Sequence, residues 1–158
     1  MSFHIGIDLG GTKIFGAAVS HDGATLFTQR RTTPRHNYHS TILTISDIVS
    51  AIEAELNSSA PVGICIPGSI CPKTDLIQNA NSTWLNDKPF NIDLEEALDR
   101  QLRFENDANC FALSESVDGS GKDANSVFGV IMGTGVGGGL VIDNKIVNGP
   151  RSIGGEWG

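Results

Sequence analysis

Apolar and polar residues alternate over positions 3–9, FHIGIDL, which is the period of a half-buried strand. GGTK (10–13) then makes a turn. IFGAAVS (14–20) and ATLFTQRR (24–31) read as two further strands joined through His21-Asp22-Gly23, and Asp-Gly is a strong hairpin signal. The chain is therefore predicted to open as an antiparallel meander with a glycine turn between its first two strands. From Tyr38 to Ser58 the period becomes helical. Ile42, Ile45, Ile48, Val49, Ile52 and Leu56 recur at three- and four-residue steps and make one broad apolar stripe.

PVGICIP (61–67) reads as a short buried strand ending at Pro67-Gly68. The Pro- and Asn-rich stretch that follows, through Asn91, holds a short hairpin near 70–78. IDLEEALDRQL (92–102) predicts a second amphipathic helix, 102–104 a short strand, and 108–117 a third helix. DGSGKDAN (118–125) is the one linker-like stretch. Beyond it, SVFGVIM (126–132) is a buried strand, GTGVGG (133–138) a second glycine turn, and GLVIDNKIVNG (139–149) a hairpin. PRSIGGEWG (150–158) has no regular pattern. A lobe boundary near 118–125 divides the chain into a first lobe, 1–118, and the beginning of a second, 119–158.

A chain of 158 residues is long enough for one domain with a real core, or for one domain and the start of another. Its net charge of −7, with no basic run, argues against nucleic acid as the main partner, because phosphate binding needs clustered Lys and Arg. No apolar run approaches the ~20 residues of a membrane span. Charged residues appear from Asp8 onward with no apolar segment before them, so no signal peptide is expected and the cytoplasm is the expected compartment. Cys65, Cys71 and Cys110 are odd in number and lack C-x-x-C spacing, which predicts buried free thiols in a reducing compartment.

Candidate chemistry begins with the two glycine turns, DLGGTK (8–13) and GTGVGGG (133–139). Without Cβ atoms, such turns let backbone N–H groups converge on an anion, and Thr12, Lys13 and Thr134 can add donors. Each turn alone also reads as a tight hairpin. The recurrence of strand, glycine turn and strand at the start of two successive lobes favours paired phosphate clamps. Gly133, Gly135 and Gly138 match G-x-G-x-x-G, but a dinucleotide site requires a helix next, and GLVIDNKIV is strand, turn, strand. SVDGSGKD (116–123) resembles a Walker loop only superficially. Ser116 stands for its first Gly, and Asp123 for the hydroxyl residue that would hold magnesium.

Asp8 ends the first strand and either organises the waters of Mg²⁺ or fixes its own loop as an Asx-turn. Asp107 stands where a strand gives way to a helix, and reads as the cap of that helix or as a base. A reciprocal capping box is missing, since Cys110 and Asn109 stand three residues beyond Asp107 and Asn106. Asn106 and Asn109 supply neutral hydrogen-bonding groups around the carboxylate, and the helix N-terminus is expected to keep it ionised. His36 and His39 have an i,i+3 spacing that a metal can use, but read as surface histidines.

DLGGTK, IPG, NANSTWLN, ENDANCFALSE, GTGVGGGLV and GEWG follow one another in an order and spacing that resemble the N-terminal part of the ROK-family sugar kinases, members of the actin-like ATPase superfamily. The resemblance covers essentially the whole chain. NANSTWLN after IPGSI looks most like the fructokinase (manno-fructokinase) branch, and NDANCFALSE is very similar to the N-acetylglucosamine kinase branch. It implies an α/β, ribonuclease H-like N-terminal lobe, a mixed sheet with flanking helices, plus the first strands of the second lobe. Asp107 falls on the family's catalytic base; Gly68, Asn81, Asn106 and Glu156 fall on positions lining the hexose site. Asp8 with Gly10, Gly11, Thr12 and Lys13, and Gly133, Thr134 and Gly135 on the other side, fall on the clamp for the ATP phosphates and Mg²⁺. In such kinases a His directly after GEWG joins three later cysteines in a structural Zn²⁺ site, so those ligands would lie beyond Gly158, together with the adenine pocket and most of the second lobe.

The expected function is ATP-dependent phosphorylation of a hexose, most of all fructose or mannose at the 6-hydroxyl, with N-acetylglucosamine or glucose as the alternative acceptor. The resemblance also implies a homodimer for the full-length protein. A sugar-sensing transcription regulator is the competing reading. Relatives of that kind carry a DNA-binding helix-turn-helix ahead of the DLGGTK element, which here begins at Asp8. The third reading is an inert fragment, and these residues alone are expected to be inactive because the cleft they form is not closed.

Overall fold

The computed structural model describes residues 2–133 and 135–157. Strands β1 (Phe3–Leu9), β2 (Lys13–Ser20) and β3 (Thr25–Thr32) form the expected meander, with β1–β2 and β2–β3 both antiparallel. Helix α1 (Tyr38–Leu56) carries the chain across to β4 (Val62–Ile66), which pairs with β1 in parallel. A two-residue hairpin, β5 (Ser69–Ile70) and β6 (Ile77–Gln78), leads to α2 (Phe90–Leu98) and then β7 (Arg103–Asn106), parallel to β4. The first sheet thus has the order β3-β2-β1-β4-β7. After α3 (Asp107–Val117), strands β8 (Ser126–Met132), β9 (Val136–Ile142) and β10 (Lys145–Ile146) make a separate antiparallel sheet in the order β10-β9-β8.

The core follows from the two periodicities. Phe3, Ile5, Ile7 and Leu9 put one face of β1 inward, and Val62, Ile64 and Ile66 do the same for β4. Against that face lies the stripe of α1, with Ile45, Ile48, Val49 and Ile52 fully buried, joined by Phe90 and Leu94 of α2. Burying each such side chain contributes about 1.5–3 kcal/mol. An Arg100–Glu53 ion pair (2.6 Å) fastens the segment after α2 to the last turns of α1. No helix among the described residues is long and apolar enough to cross a membrane.

Several elements depart from the pattern-based expectation. Helix α2 starts at Phe90 and ends at Leu98 rather than running to 102, because Asp99 adopts a left-handed conformation (φ 49°) that closes the helix. Strand β7 extends to Asn106, held there by pairing with Ile66 of β4, a contact no local pattern reveals. The second glycine turn is shorter than expected, and Gly137, Gly138 and Gly139 belong to β9. The stretch 118–125 is folded back on α3, where Gly121 N–H donates to the Glu115 carbonyl (2.8 Å) and Ser120 N–H to its carboxylate (2.8 Å).

The topology has one consequence for chemistry. β1, β4 and β7 run in the same direction, and their register aligns Asp8 with Cys65, Cys65 with Glu105, and Ile66 with Asn106. The carboxyl ends of three parallel strands, carrying Asp8, Pro67-Gly68 and Asn106-Asp107, therefore meet at one edge. In open α/β sheets that edge is where ligands bind.

Candidate active site

A cleft of about 630 Å³ opens at this edge. Its wall includes Gly10 and Gly11 of the first glycine turn, Gly133 and Gly135 of the second, and Gly68, Asn81, Asn106, Asp107 and Glu156 between them. Nine of the residues singled out from sequence are thus brought to one cavity. Asp8, Thr12 and Lys13 do not line it, although Asp8 lies within electrostatic reach of Asp107 and Lys13 within reach of Asp8. Thr134 lies outside the described residues. His36 and His39 are exposed, and the His36 ring packs edge-on against Trp84.

Gly68 and Asn81 are placed by backbone geometry. At φ 105° Gly68 adopts a conformation that side-chain-bearing residues avoid, and a Cβ there would sit 2.5 Å from the Gln78 carbonyl oxygen. Only glycine lets the exit of β4 press against β6. Across the cleft the Asn81 amide lies so close to Gly135 that a Cβ on Gly135 would be 2.7 Å from Asn81 Nδ2. The second turn is seated on the NANSTWLN stretch in this way.

Asp107 is not the cap of α3, as its position at the junction suggested. Asn106 caps it, with Oδ1 accepting from Ala108 N–H (2.9 Å) and Asn109 N–H (3.2 Å), while its Nδ2 donates to the Gly68 carbonyl (2.9 Å). Asn106 is therefore largely engaged in holding the wall together. Asp107 is the first residue of the helix, and its Oδ1 accepts from Ala108 N–H at 2.8 Å. The helix N-terminus does favour its ionised form through the Ala108 N–H, but burial opposes it. Burial lifts the Asp107 carboxyl above its ordinary value, the Asp8 charge adds to the rise, and the Ala108 N–H offsets only part of it. Burial raises Asp8 as well, against the pull of Lys13. Glu156 is raised by burial and then by Asp107. The Asp8 charge thus disfavours ionisation of Asp107, and the Asp107 charge that of Glu156.

A polar cluster behind Asp107 joins the two sheets. Glu105 Oε1 accepts from Asn106 N–H (2.9 Å) and Asn109 Nδ2 (2.9 Å), and Oε2 accepts from Asn148 Nδ2 (3.2 Å). Asn109 Nδ2 also donates to Asn148 Oδ1 (2.9 Å), so strand β7, helix α3 and the segment after β10 share one network. Glu105→Gln would turn an amide donor toward a group that is itself a donor. The expected cost is about 1–3 kcal/mol, read as a lower denaturation midpoint with an unchanged m-value. The neighbouring thiols of Cys65 and Cys110 face each other. Cys110 is raised by its hydrogen bond with Cys65 and then by burial, and all three cysteines are free but half-buried rather than buried as expected.

Other wall residues were not picked out from sequence. Trp84 and Asn79 belong to the quoted NANSTWLN region, but no spacing rule assigns them. Arg35, Ser152, Ile153 and Trp157 come from irregular segments that only folding brings to the cleft. Arg35 follows the third strand of a meander whose first turn is a phosphate-clamp candidate, and that adjacency was the available signal.

The fit of metal ions differs between the two that the resemblance implies. The Asp8 charge raises the proton affinity of the half-buried Asp107, so a divalent cation at this pair would relieve the repulsion, and Mg²⁺ needs only one or two carboxylates beside its waters. For Zn²⁺ the described residues offer no grouping of three His, Cys, Asp or Glu side chains, so they do not fit a zinc site.

This sheet and cleft define the actin-like ATPase fold, shared with a ROK family glucokinase from Streptomyces griseus solved in complex with glucose and AMPPNP. That structure superposes with a TM-score of 0.88 at 29% identity, covering 99% of this chain and 50% of that one. A ROK hexokinase from Thermus thermophilus superposes with a TM-score of 0.80 at 28% identity, over 98% of this chain and 51% of that one. The chain belongs to the ROK family, whose profile matches residues 4–158. Among curated relatives, an N-acetyl-D-glucosamine kinase from Vibrio cholerae is 39% identical over 155 residues, 98% of this chain and 51% of that protein. The corresponding protein of Haemophilus influenzae is 37% identical over the same length and the same shares. The chain spans about half the length of the curated relatives it matches.

Proposed function

We propose that the full-length protein transfers the γ-phosphoryl group of ATP to a hexose hydroxyl, with Asp107 as general base. The observation that carries this reading is the placement of a half-buried carboxyl group on the wall of a cleft whose two rims are glycine turns. Residues 1–118 form the lobe that bears the base, and 119–158 begin the lobe that closes over the nucleotide. Asn106 fixes the helix start, so that Asp107 meets the hydroxyl in one orientation. Glu156 and Asn81 offer acceptors and donors to other hydroxyls. The backbone N–H groups of the two glycine turns hold the phosphates, and exclusion of water strengthens each of these contacts. Asp8 would hold Mg²⁺, which would supply neutralisation of the phosphate charge.

The acceptor we favour is N-acetyl-D-glucosamine, because the curated relatives bear that name. Fructose or mannose is the second reading, supported by the lining of the cleft with Asn79, Asn81, Ser82 and Trp84 of the NANSTWLN region. A coupled ATP assay of the full-length protein across N-acetylglucosamine, glucose, mannose and fructose separates them. A site that hydrogen-bonds the sugar should prefer one acceptor by at least about tenfold in kcat/KM, since a missing partner leaves buried polar groups unpaired. A preference for fructose or mannose selects the second reading. Turnover with none of the four overturns both.

A further inference from the structure

Arg35 is the one cationic side chain on the cleft wall among the described residues, which otherwise carries the acids Asp107 and Glu156. It belongs to a short segment strapped across the first glycine turn. Thr33 N–H donates to the Thr12 carbonyl (3.1 Å), Thr33 Oγ1 to the Gly10 carbonyl (2.7 Å), and Arg35 Nε to the Gly11 carbonyl (3.2 Å). Thr33 is 2% exposed, so this strap is a packed part of the turn and not a loose loop. It occupies the carbonyl oxygens of three successive residues, groups that would otherwise repel an anion bound at the turn.

The Nε bond anchors the guanidinium and leaves its terminal nitrogens without a hydrogen bond among the described residues. The Arg100–Glu53 contact is the one ion pair formed there, so Arg35 has no carboxylate partner. A planar, permanently charged donor fork beside a phosphate clamp is matched to anionic oxygens and not to neutral hydroxyls. We infer that the Arg35 guanidinium contacts the phosphoryl group as it passes from ATP to the hexose, which rests on the kinase reading above. In that step the hexose oxygen bonds to γ-phosphorus and its proton goes to the Asp107 carboxylate. The bond from γ-phosphorus to the bridging oxygen breaks, and its electron pair leaves with ADP. Arg35 stabilises the equatorial oxygens while this exchange takes place.

The test uses the full-length protein and the variants Arg35→Ala and Arg35→Lys, with steady-state kinetics, thermal melts and added guanidinium ion. Arg35→Ala should lower kcat by about 10²–10³-fold, the loss typical of one charge-stabilising donor. The KM for the hexose should stay within about twofold, because the contact is made to the phosphoryl group and not to the sugar. Low guanidinium should restore part of the lost rate, which no merely structural role explains. Arg35→Lys should recover little, since an ammonium lacks the planar fork. A wild-type kcat in either variant overturns the inference, as does a raised hexose KM with kcat intact. If Arg35→Ala does not fold, kcat of Arg35→Lys decides. A wild-type protein that phosphorylates no hexose overturns the kinase reading instead, which distinguishes the two failures.

Discussion

Asp107→Asn in the full-length protein is expected to keep hexose affinity and to lose about 10²–10⁴-fold in kcat, roughly 3–5 kcal/mol of barrier. The amide preserves the acceptor that Ala108 N–H uses, so the helix start should survive and the loss should report on the proton alone. A raised KM with kcat retained would make Asp107 a binding residue and remove it from the chemistry. The pH profile adds a second reading. The base works only when ionised, and burial together with the Asp8 charge lifts its carboxyl above the ordinary 3.8. The acid limb of kcat/KM should therefore fall above the usual carboxylate range. The same shift has a sign for stability. A carboxyl that binds its proton more tightly folded than unfolded contributes stability below its unfolded value, and that contribution is lost as pH rises through the folded value. At neutral pH the ionised Asp107 thus weakens the fold. Asp107→Asn should melt at a higher temperature than wild type near pH 7, and the difference should vanish in acid. Equal melting temperatures at pH 7 would show that the strain is absent.

Gly139→Ala should disable the protein by a different route. In β9 Gly139 faces the first turn of α3 so closely that a Cβ would overlap the Ala108 carbonyl oxygen, 2.7 Å from its carbonyl carbon and 2.8 Å from Asn109 Cα. These are backbone atoms of the turn that carries Asp107, so they cannot swing aside as a side chain can. The added methyl must push α3 off the second sheet, at a cost of about 1–3 kcal/mol or more for an overpacked site. A displacement of about 1 Å at the base is enough to cost on the order of 10²-fold in rate. The melting temperature and kcat should therefore fall together. Gly6→Ala in β1, where a Cβ would meet nothing within 4 Å, is the control that should leave kcat near wild type. A Gly139→Ala variant with native kcat would show that α3 is not braced by β9.

Much of the framework is legible along the chain because it rests on local periods. The alternation in FHIGIDL, the isoleucine stripe of α1 and the Asp22-Gly23 turn each specify one element without reference to any other. The two glycine turns and the acidic residue between them can likewise be read as a candidate phosphate-transfer site, since those residue types serve few other ends in combination. The ends of α2 and β7 could not be read, because they depend on the left-handed Asp99 and on a pairing with β4 from forty residues away. Gly137 and Gly138 looked like turn residues and proved to be strand residues, and Gly139 beside them permits the close approach of α3.

Local periodicity and turn chemistry are enough to set the order of strands and helices and to single out Asp107 as the residue to test. Folding is needed to show that Asn106 and not Asp107 caps α3, that burial raises the Asp107 carboxyl, and that Arg35 and Trp84 share its cleft. Periodicity reports which side of an element is buried. Capping, desolvation and charge–charge repulsion depend on which distant segments arrive beside a residue, and those are set by parallel pairing and packing across the whole chain.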